Sequence, residues 1–506
     1  MKRNILSIAA FFVVSFSFAQ GEMDALRYAR NDLTGTARAM SMGGAFGALG
    51  GDITGIAINP GGIGVYRSSE IVTTMNFENI STKTTLTDNR FKFNFDNVGY
   101  VGFFPSGSDG VVGYHFGFTY NRLKNYNRKY TTQGQAMPVS LSDYVATKSR
   151  GLDSDLLLHS GAADPFNDMP WLSVLSYNAG IIKNKVNDRF NYESILPIGE
   201  TVDNALSVSE KGSIGSYDFT LGMNIANIVS LGATLSFTNI DYRMSAYYSE
   251  KFANGGDFFL DNWLQTDGNG CGVKVGTVIR PIDALRIGIA YHSPTWYSLY
   301  DHFNAKMDYS EKNWIKSADD NTLDYSFQTP YKWVFSVAGI IGTRAIVSVD
   351  YELTDYSSTK FHTINGGYDP NFKVQNSYME EDLRPTSSLR TGLEIRPISQ
   401  LSIRLGYAFA QAPMKKRVLA GDQEIETVGS IPHFVLEGDT HYYTAGLGFR
   451  FTRNLYMDVA VIAKQEKDKV YAFSNIFENG APIVESTPAG LKINTFKGLL
   501  TVGCKF

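Results

Sequence analysis

The feature that most constrains this chain is a strict two-residue alternation of apolar and polar side chains. In LSIRLGYAF (401–409) every odd position is large and apolar, whereas every even position is polar or small. The same alternation recurs in LRIGIAY (285–291) and YDFTLGM (217–223). Because successive side chains of a β-strand point to opposite faces, these segments are predicted to be strands with one apolar face.

The connections between the predicted strands alternate in length. We predict about 14 strands, at 69–80, 91–104, 110–122, 213–225, 228–244, 270–281, 284–300, 331–341, 344–357, 386–396, 399–410, 441–451, 454–472 and 492–506. Short turns such as 105–109 and 226–227 alternate with long connections at 81–90, 123–212, 245–269, 301–330, 358–385, 411–440 and 473–491. A soluble antiparallel sandwich also alternates in polarity, but it has no reason to sort its connections by length. An even number of long strands with short turns at one end and long loops at the other is typical of an outer-membrane barrel.

Composition agrees with a membrane barrel. Charged residues make up 19% of the chain, below the roughly 25% usual for soluble domains. The formal net charge of −4 argues against a nucleic-acid-binding protein, which would carry a basic patch or stripe. Beyond the first twenty residues no apolar run approaches the length of a membrane-spanning helix, so a helical membrane protein is excluded.

The two ends of the chain predict export and barrel assembly. Lys2 and Arg3 precede an apolar run at 5–18, and Ser17-Phe18-Ala19 places small residues before a cleavage point at Gln20; residues 1–19 are therefore predicted to be a cleaved signal peptide. The final strand ends on Phe506, in phase with Leu500 and Val502. A terminal Phe on such a strand resembles the signal read by the barrel-assembly machinery. That machinery, the outer-membrane lipid and lipopolysaccharide are the expected partners at the cell outer membrane.

Residues 20–68 differ from the rest of the chain. The segment 34–51 is dominated by small residues and does not alternate, and its glycines prevent one long helix. A barrel of this size is too wide for wall side chains alone to fill. We therefore predict that residues 20–68 form a plug inside the lumen, and that the chain turns at Asn59-Pro60-Gly61-Gly62 before entering the barrel of residues 69–506.

This plug carries a family resemblance. The segment GTARAMSMGGAFGALGGDITGIAINPGGIGVYRSSEI (35–71) resembles the N-terminal hatch of the long-chain fatty acid transporter (FadL-type) family of outer-membrane proteins. The hairpins at 273–294 and 389–413 also resemble that family, whereas Gly61 departs from the commoner Asn-Pro-Ala-Gly form. The resemblance implies an all-β fold: an antiparallel transmembrane β-barrel of about 14 strands with a lumenal hatch of short helices and loops.

The resemblance also implies a function. Family members take up hydrophobic or amphiphilic molecules, typically long-chain fatty acids, by passive diffusion through a hatch-gated barrel with a lateral exit, and neither cofactor nor enzymatic chemistry is needed. Ligand binding or gating is expected at the hatch residues Arg38, Phe46, Asn59, Pro60, Gly61 and Gly62.

Loop 123–212 is expected to be extracellular and is unusually apolar. It contains Leu157, Trp171 and Leu172, and an exposed apolar patch usually marks binding. We expect these residues to capture the ligand; the alternative is that they pack the core of a loop subdomain.

The sequence is also compatible with other functions. Long loops would equally suit a docking protein, such as an adhesin or a component of a secretion complex. A lipase would need a Ser-His triad, and the chain has no Gly-x-Ser-x-Gly elbow. The seven histidines show no metal-ligand spacing, and Asp153-Ser154-Asp155 is too short a motif for a calcium loop. No metal site is predicted.

Overall fold

The protein is an antiparallel β-barrel that closes by pairing its first wall strand with its last. The computed structural model describes residues 21–108, 110–158, 164–253, 256–310, 315–316, 321–364, 370–427 and 429–506; the predicted signal peptide lies outside them. Strand β1 (Glu70–Lys83) pairs with β2 (Thr87–Pro105) on one side and with β24 (Ala489–Lys505) on the other. The predicted all-β barrel of 14 wall strands with an N-terminal hatch is confirmed.

The helices and strands follow this order. The helices are α1 Glu22–Ala29, α2 Ala37–Ser41, α3 Ile53–Ile58, α4 Leu141–Lys148, α5 Ser154–Leu157, α6 Trp171–Ala179, α7 Pro370–Asp382 and α8 Lys416–Ala420, with 3-10 helices at Pro60–Val65, Pro165–Asn167 and Tyr356–Ser358. The further strands are β3 Val111–Asn125, β4 Arg128–Met137, β5 Ile182–Lys185, β6 Asp188–Ser194, β7 Val202–Ile225, β8 Val229–Phe252, β9 Asp257–Ile282, β10 Leu285–His292, β11 Trp296–Tyr309, β12 Ile315–Lys316, β13 Asn321–Gln328, β14 Lys332–Ile341, β15 Ala345–Asp355, β16 Lys360–His362, β17 Pro385–Ile398, β18 Leu401–Ala410, β19 Phe434–Leu436, β20 Thr440–Arg450, β21 Leu455–Tyr471, β22 Ile476–Glu478 and β23 Ala481–Val484. None of the helices in the described ranges is long and apolar enough to cross a membrane.

Several strands extend much further than predicted. The predicted long connection at 245–269 is wrong, because β8 and β9 pair from Val229↔Ile279 to Lys251↔Asp257. Strand β7 likewise starts at Val202, inside the predicted loop 123–212. A membrane span needs only 9–11 residues. Beyond that height the outward face meets water and carries polar residues such as Arg243 and Lys251, whereas the inward residues Tyr242, Met244 and Tyr248 are buried in an apolar core. The alternation therefore continues with its apolar side inside instead of outside, which reverses the pattern used to find strands.

An outer domain covers the long-loop end of the barrel. Helices α4 to α8 and the short hairpins β5–β6 and β22–β23 belong to the long connections. Its buried side chains form one apolar cluster with the upper barrel lining, including Leu141, Val145, Val174 and Leu175. Loop 123–212 is therefore folded, and its core is continuous with that of the upper barrel.

The barrel wall is interrupted at two places. Strand β2 is paired with β3 only up to Asn97↔Asn121, although β2 continues to Thr87 beside β1. The predicted single strand at 284–300 is instead split into β10 and β11, and its neighbour into β14 and β13. Pro294 and Pro330 lie in these breaks, and proline has no N–H to donate to a β-ladder.

Candidate functional site: the hatch and the lumenal cavities

The hatch consists of short helices that are capped by their own side chains. The Thr36 hydroxyl accepts a hydrogen bond from the backbone N–H of Ala39 at the start of α2, and the Asp52 carboxylate accepts one from Thr54 at the start of α3. The Thr36 hydroxyl also donates to Asp52 at 2.9 Å, which joins the two helix starts. Such caps satisfy N–H groups that a short helix leaves unpaired.

Wall glycines provide the seat for the Asn59-Pro60-Gly61 turn. A Cβ atom on Gly232 would lie 2.2 Å from the carbonyl oxygen of Pro60, and one on Gly276 would lie 2.1 Å from Oδ1 of Asn59. A Cβ on Gly61 would in turn lie 2.7 Å from the Cα of Thr277. Glycine is therefore needed on both sides, because hatch and wall backbones touch directly.

A second glycine contact lies on the opposite wall. A Cβ on Gly406 would lie 2.1 Å from the backbone nitrogen of Gly43, and one on Gly392 would lie 2.5 Å from the carbonyl oxygen of Met42. Gly43 itself has a φ of 63°, which glycine adopts without strain. The hatch is thus clamped between two walls of the lumen.

Hydrogen bonds from the wall fix the hatch backbone. The Asp350 carboxylate accepts from the N–H groups of Phe46 and Gly47, each at 2.9 Å. The Asn59 side chain donates to the carbonyl oxygens of Gly47 at 2.7 Å and Thr277 at 2.9 Å. Asn59 therefore ties the centre of the hatch to its exit and to strand β9.

Arg38 belongs to an ion-pair network at the short-turn end of the lumen. Its Nε lies 3.6 Å from Glu394, whose carboxylate also accepts from Nε of Arg404 at 2.6 Å. Nη1 of Arg404 donates to the Asp458 carboxylate at 2.5 Å. The Arg38 guanidinium lies 5.2 Å from the centre of the Phe46 ring, within the range of a cation–π contact.

A cavity of about 140 Å³, the upper cavity, lies between the hatch and the outer domain. One part of its lining is apolar and comprises Met23, Leu26, Ile80, Met244, Phe434, Val435 and Ile493. The other part is charged and comprises Arg27, Arg30, Asp32, Glu78, Lys124, Arg128, Glu210, Glu437, Lys464 and Glu466. The cavity is therefore amphipathic.

Most charges of the upper cavity are paired. Arg30 lies 2.7 Å from Glu437, and Lys464 lies 2.7 Å from Asp32. Burial alone would raise the pKa of Asp32, but Lys464 and Lys497 outweigh it and hold that pKa well below its usual range. Burial likewise opposes ionisation of Glu437, yet Arg30 and its basic neighbours lower the pKa of Glu437 to about 2. Both carboxylates are therefore ionised at neutral pH.

Lys124 is the exception among these charges. Its ammonium donates to the carbonyl oxygen of Arg27 at 2.9 Å and lies 5.1 Å from the centre of the Tyr126 ring. Within the described ranges it has no carboxylate partner within 4.0 Å. A cation in a low-dielectric site without an anionic partner is costly, and an anionic ligand would lower that cost.

A second cavity of about 170 Å³, the side cavity, lies across the hatch from the upper cavity. Asn31 and Asp32 line both cavities and separate them. The side cavity extends to the interrupted wall, where it is lined by Ser293, Thr295 and Pro330. Val273 also lines it, although this side chain is 44% exposed.

The predicted hatch residues come together at the hatch–wall contacts. Phe46 and Asn59 are buried, as are Pro60, Gly61 and Gly62, and these five are not among the residues that line the upper or side cavity. Arg38 lines a further cavity at the short-turn end.

The predicted capture residues lie in the core of the outer domain. Leu157 is fully buried, Trp171 is 2% exposed and Leu172 is 8% exposed. The Trp171 ring packs 4.9 Å from that of Phe303, and its Nε1 donates to the carbonyl oxygen of Phe166 at 2.8 Å. The three side chains therefore pack in the core that the loop shares with the upper barrel.

Sequence reasoning missed the residues that line the two cavities. Lys124 lies at the end of a strand, and Arg30 and Asp32 lie in LRYARNDL (26–33), a charged segment within the small-residue plug. The charge of this segment was the one sequence feature that could have indicated these cavity residues. The acidic pair Asp153 and Asp155 contacts Arg189, and no metal-holding cluster is found in the part of the chain that the structure describes.

These features define a class: an outer-membrane barrel whose lumen is closed by an N-terminal hatch. The family model for outer membrane protein transport proteins (OMPP1/FadL/TodX) matches residues 205–484. The chain belongs to this family of outer-membrane transport proteins. No curated protein sequence matches it.

Solved structures of other proteins share this fold. A Pseudomonas aeruginosa FadL homologue is 12% identical with a TM-score of 0.55, and the match covers 94% of this chain and 99% of that one. The Ralstonia pickettii toluene transporter TbuX is 13% identical with a TM-score of 0.51 and the same coverages. At these identities the similarity concerns the fold.

Proposed function

We propose that this barrel takes up long-chain fatty acids by passive diffusion. The observation that carries the proposal is the amphipathic upper cavity, in which Lys124 has no carboxylate partner among the described residues. An anionic head group would pair with Lys124 while its acyl chain contacts Met23, Ile80 and Phe434. An uncharged aromatic hydrocarbon, the kind of molecule that the name of the toluene transporter TbuX indicates, would leave this ammonium unpaired.

Entry would begin at the outer domain. Because Leu157, Trp171 and Leu172 are buried, capture by these residues requires part of loop 123–212 to open. Leu156 and Leu158, which flank Leu157, are 54% and 45% exposed and offer a first contact for an apolar chain.

Passage requires the hatch to move. The Asn31–Asp32 segment separates the upper cavity from the side cavity, so a ligand can cross only if this segment shifts. The rest of the hatch would stay bound to the wall while residues 31–34 move aside. The residues that hold it there would be Arg38, Phe46 and Asn59-Pro60-Gly61-Gly62.

The exit would be the interruption between β10 and β11. Here the side cavity reaches wall residues, and the Pro294–Pro330 position lacks the N–H groups of a regular ladder. Thr295→Trp should obstruct this route and lower uptake without preventing binding. Thr73→Trp, on the outward face of β1, is the matched control and should leave uptake unchanged.

The proposal is tested by uptake of a labelled long-chain fatty acid in cells with and without the protein. Lys124→Gln should weaken binding of the fatty acid by roughly tenfold or more, the value of a charge-assisted hydrogen bond. It should leave binding of the fatty alcohol of equal chain length unchanged. Lys83→Gln, an exposed lysine at the end of β1, is the control. Uptake of toluene but not of the fatty acid would contradict the proposal.

A docking role is the second candidate. The β5–β6 region exposes Val186 at 88% and Ile198 at 106%, and exposed apolar side chains suit a protein partner. Unchanged fatty acid uptake on deletion of the gene, together with a stoichiometric partner on purification, would favour this role.

A further inference from the structure

The short-turn end of the barrel carries a concentration of arginines that transport does not require. Arg344, Arg396, Arg450 and Arg453, here called the arginine arc, lie at three consecutive short turns. The surrounding segments IIGTRAI (340–346), IRPISQLS (395–402) and GFRFTRNLYM (448–457) contain no acidic residue. Backbone hydrogen bonds join the turns, since Arg396 N–H donates to the Arg344 carbonyl at 2.7 Å and Arg450 N–H donates to that of Gln400 at 2.9 Å.

Most of the arc has no internal counter-charge. Arg396 lies 2.5 Å from Glu394. Arg344, Arg450 and Arg453 are exposed and form no ion pair with any residue in the described ranges. The turns at 106–110 and 226–228 carry no basic residue of their own, although Arg67 and Arg280 lie beside the second of them. The arginine arc is therefore the larger of two basic regions on this rim.

The arc borders a cavity of about 520 Å³ beneath the hatch. Seven basic side chains line this cavity, against two carboxylates, Glu70 and Asp458. Its lining also includes Ile398, Phe449 and Leu455, which are 58%, 36% and 41% exposed. The cavity thus joins a cationic surface to apolar side chains on the membrane-facing side of the barrel.

We propose that the arginine arc binds the phosphate group of an anionic phospholipid from the inner leaflet of the outer membrane. Short turns of such barrels face the periplasm, which places the arc at the level of that leaflet's head groups. Guanidinium groups bind phosphate in a bidentate manner, and the acyl chains would lie along Ile398, Phe449 and Leu455. The inference is independent of the proposed transport of fatty acids.

The test uses the purified full-length protein with equimolar phosphatidylglycerol and phosphatidylethanolamine of identical acyl chains, and counts bound lipids by native mass spectrometry. We expect preferential retention of phosphatidylglycerol. The variant Arg344→Gln/Arg450→Gln/Arg453→Gln should lose most of this preference, at about fivefold for each arginine that contacts the phosphate. Lys251→Gln/Lys360→Gln/Lys467→Gln removes three exposed charges at the opposite end and should retain the preference.

Two further arms keep the proposal open to refutation. Glycerol 3-phosphate at millimolar concentration should not displace the lipid; if it does, the site binds soluble phosphates and the lipid assignment is wrong. The Arg→Lys triple variant, which preserves charge, should fold and keep part of the preference. Equal retention of the two lipids by the wild-type protein, or an unchanged preference in the Arg→Gln variant, would overturn the proposal.

Discussion

A Cβ atom on Gly232 would lie 2.2 Å from the carbonyl oxygen of Pro60, so adding one methyl group to this wall residue would push the hatch away from the wall. We expect Gly232→Ala to destabilise the seated hatch by about 1–3 kcal/mol, the usual cost of overpacking. Channel conductance in planar bilayers should rise because the plug no longer closes the lumen.

The matched control is Gly498→Ala. A Cβ at this wall glycine would meet nothing within 4 Å, so conductance should stay at the wild-type level. Equal conductance of the Gly232 variant and the wild-type protein would contradict the direct backbone contact.

Asp350 should hold the middle of the hatch. Asp350→Ala leaves the N–H groups of Phe46 and Gly47 without their acceptor, at a cost of about 1–3 kcal/mol for an unsatisfied buried donor. Hydrogen exchange at 42–52, followed by mass spectrometry, should become faster. Ser348→Ala removes a buried hydroxyl that has no hydrogen-bond partner in the structure and should leave this exchange rate unchanged.

Glu250 should make the outer domain less stable as pH rises. It lies near the far end of β8, 21 residues beyond Val229 and outside any membrane span. Burial raises its pKa from 4.5 to about 7, against hydrogen bonds donated by Leu141 N–H, Ser140 and Tyr248. Because the folded state favours the protonated form, its contribution is fully present below pH 4.5 and is lost as pH rises through about 7.

The measurement is limited proteolysis of loop 123–212 between pH 4.5 and 8. Cleavage of the wild-type protein should accelerate as pH rises, because the free energy of unfolding of the outer domain falls by on the order of 3 kcal/mol. Glu250→Gln should remove most of this dependence, whereas Glu193→Gln, at an exposed position, should not. A flat profile in the wild-type protein would show that Glu250 does not limit the domain's stability.

Trp171 should stabilise the outer domain more than the barrel. Trp171→Ala removes the contacts with Phe166 and Phe303 and should cost about 3–5 kcal/mol in that core. Loop 123–212 should become protease-sensitive while the heat-modifiable electrophoretic mobility of the barrel is kept. Leu156→Ala, at a half-exposed position, serves as the control. Loss of the folded barrel in the Trp171 variant would contradict a stabilising role that is greater for the outer domain than for the barrel.

The sequence by itself determined the architecture. Alternation in segments such as 401–409 follows from the pleat of a strand between lipid and lumen, and the sorted connection lengths follow from the two sides of a membrane. The small-residue composition of 34–51 predicted a plug, because close packing inside a lumen excludes large side chains. These patterns are local, so they can be recognised without knowing which residues contact one another in the folded protein.

Only the tertiary structure decided which residues form the cavities and what each glycine contacts. Gly61 lies more than 200 positions from Thr277 in sequence, yet a Cβ there would lie 2.7 Å from the Cα of that residue. Lys124 became a candidate ligand-binding residue only when its carboxylate neighbours proved to be engaged elsewhere. The strand end that contains Glu250 was not predicted, because above the membrane the apolar side of β8 faces the core under the outer domain instead of lipid, which reverses the alternation.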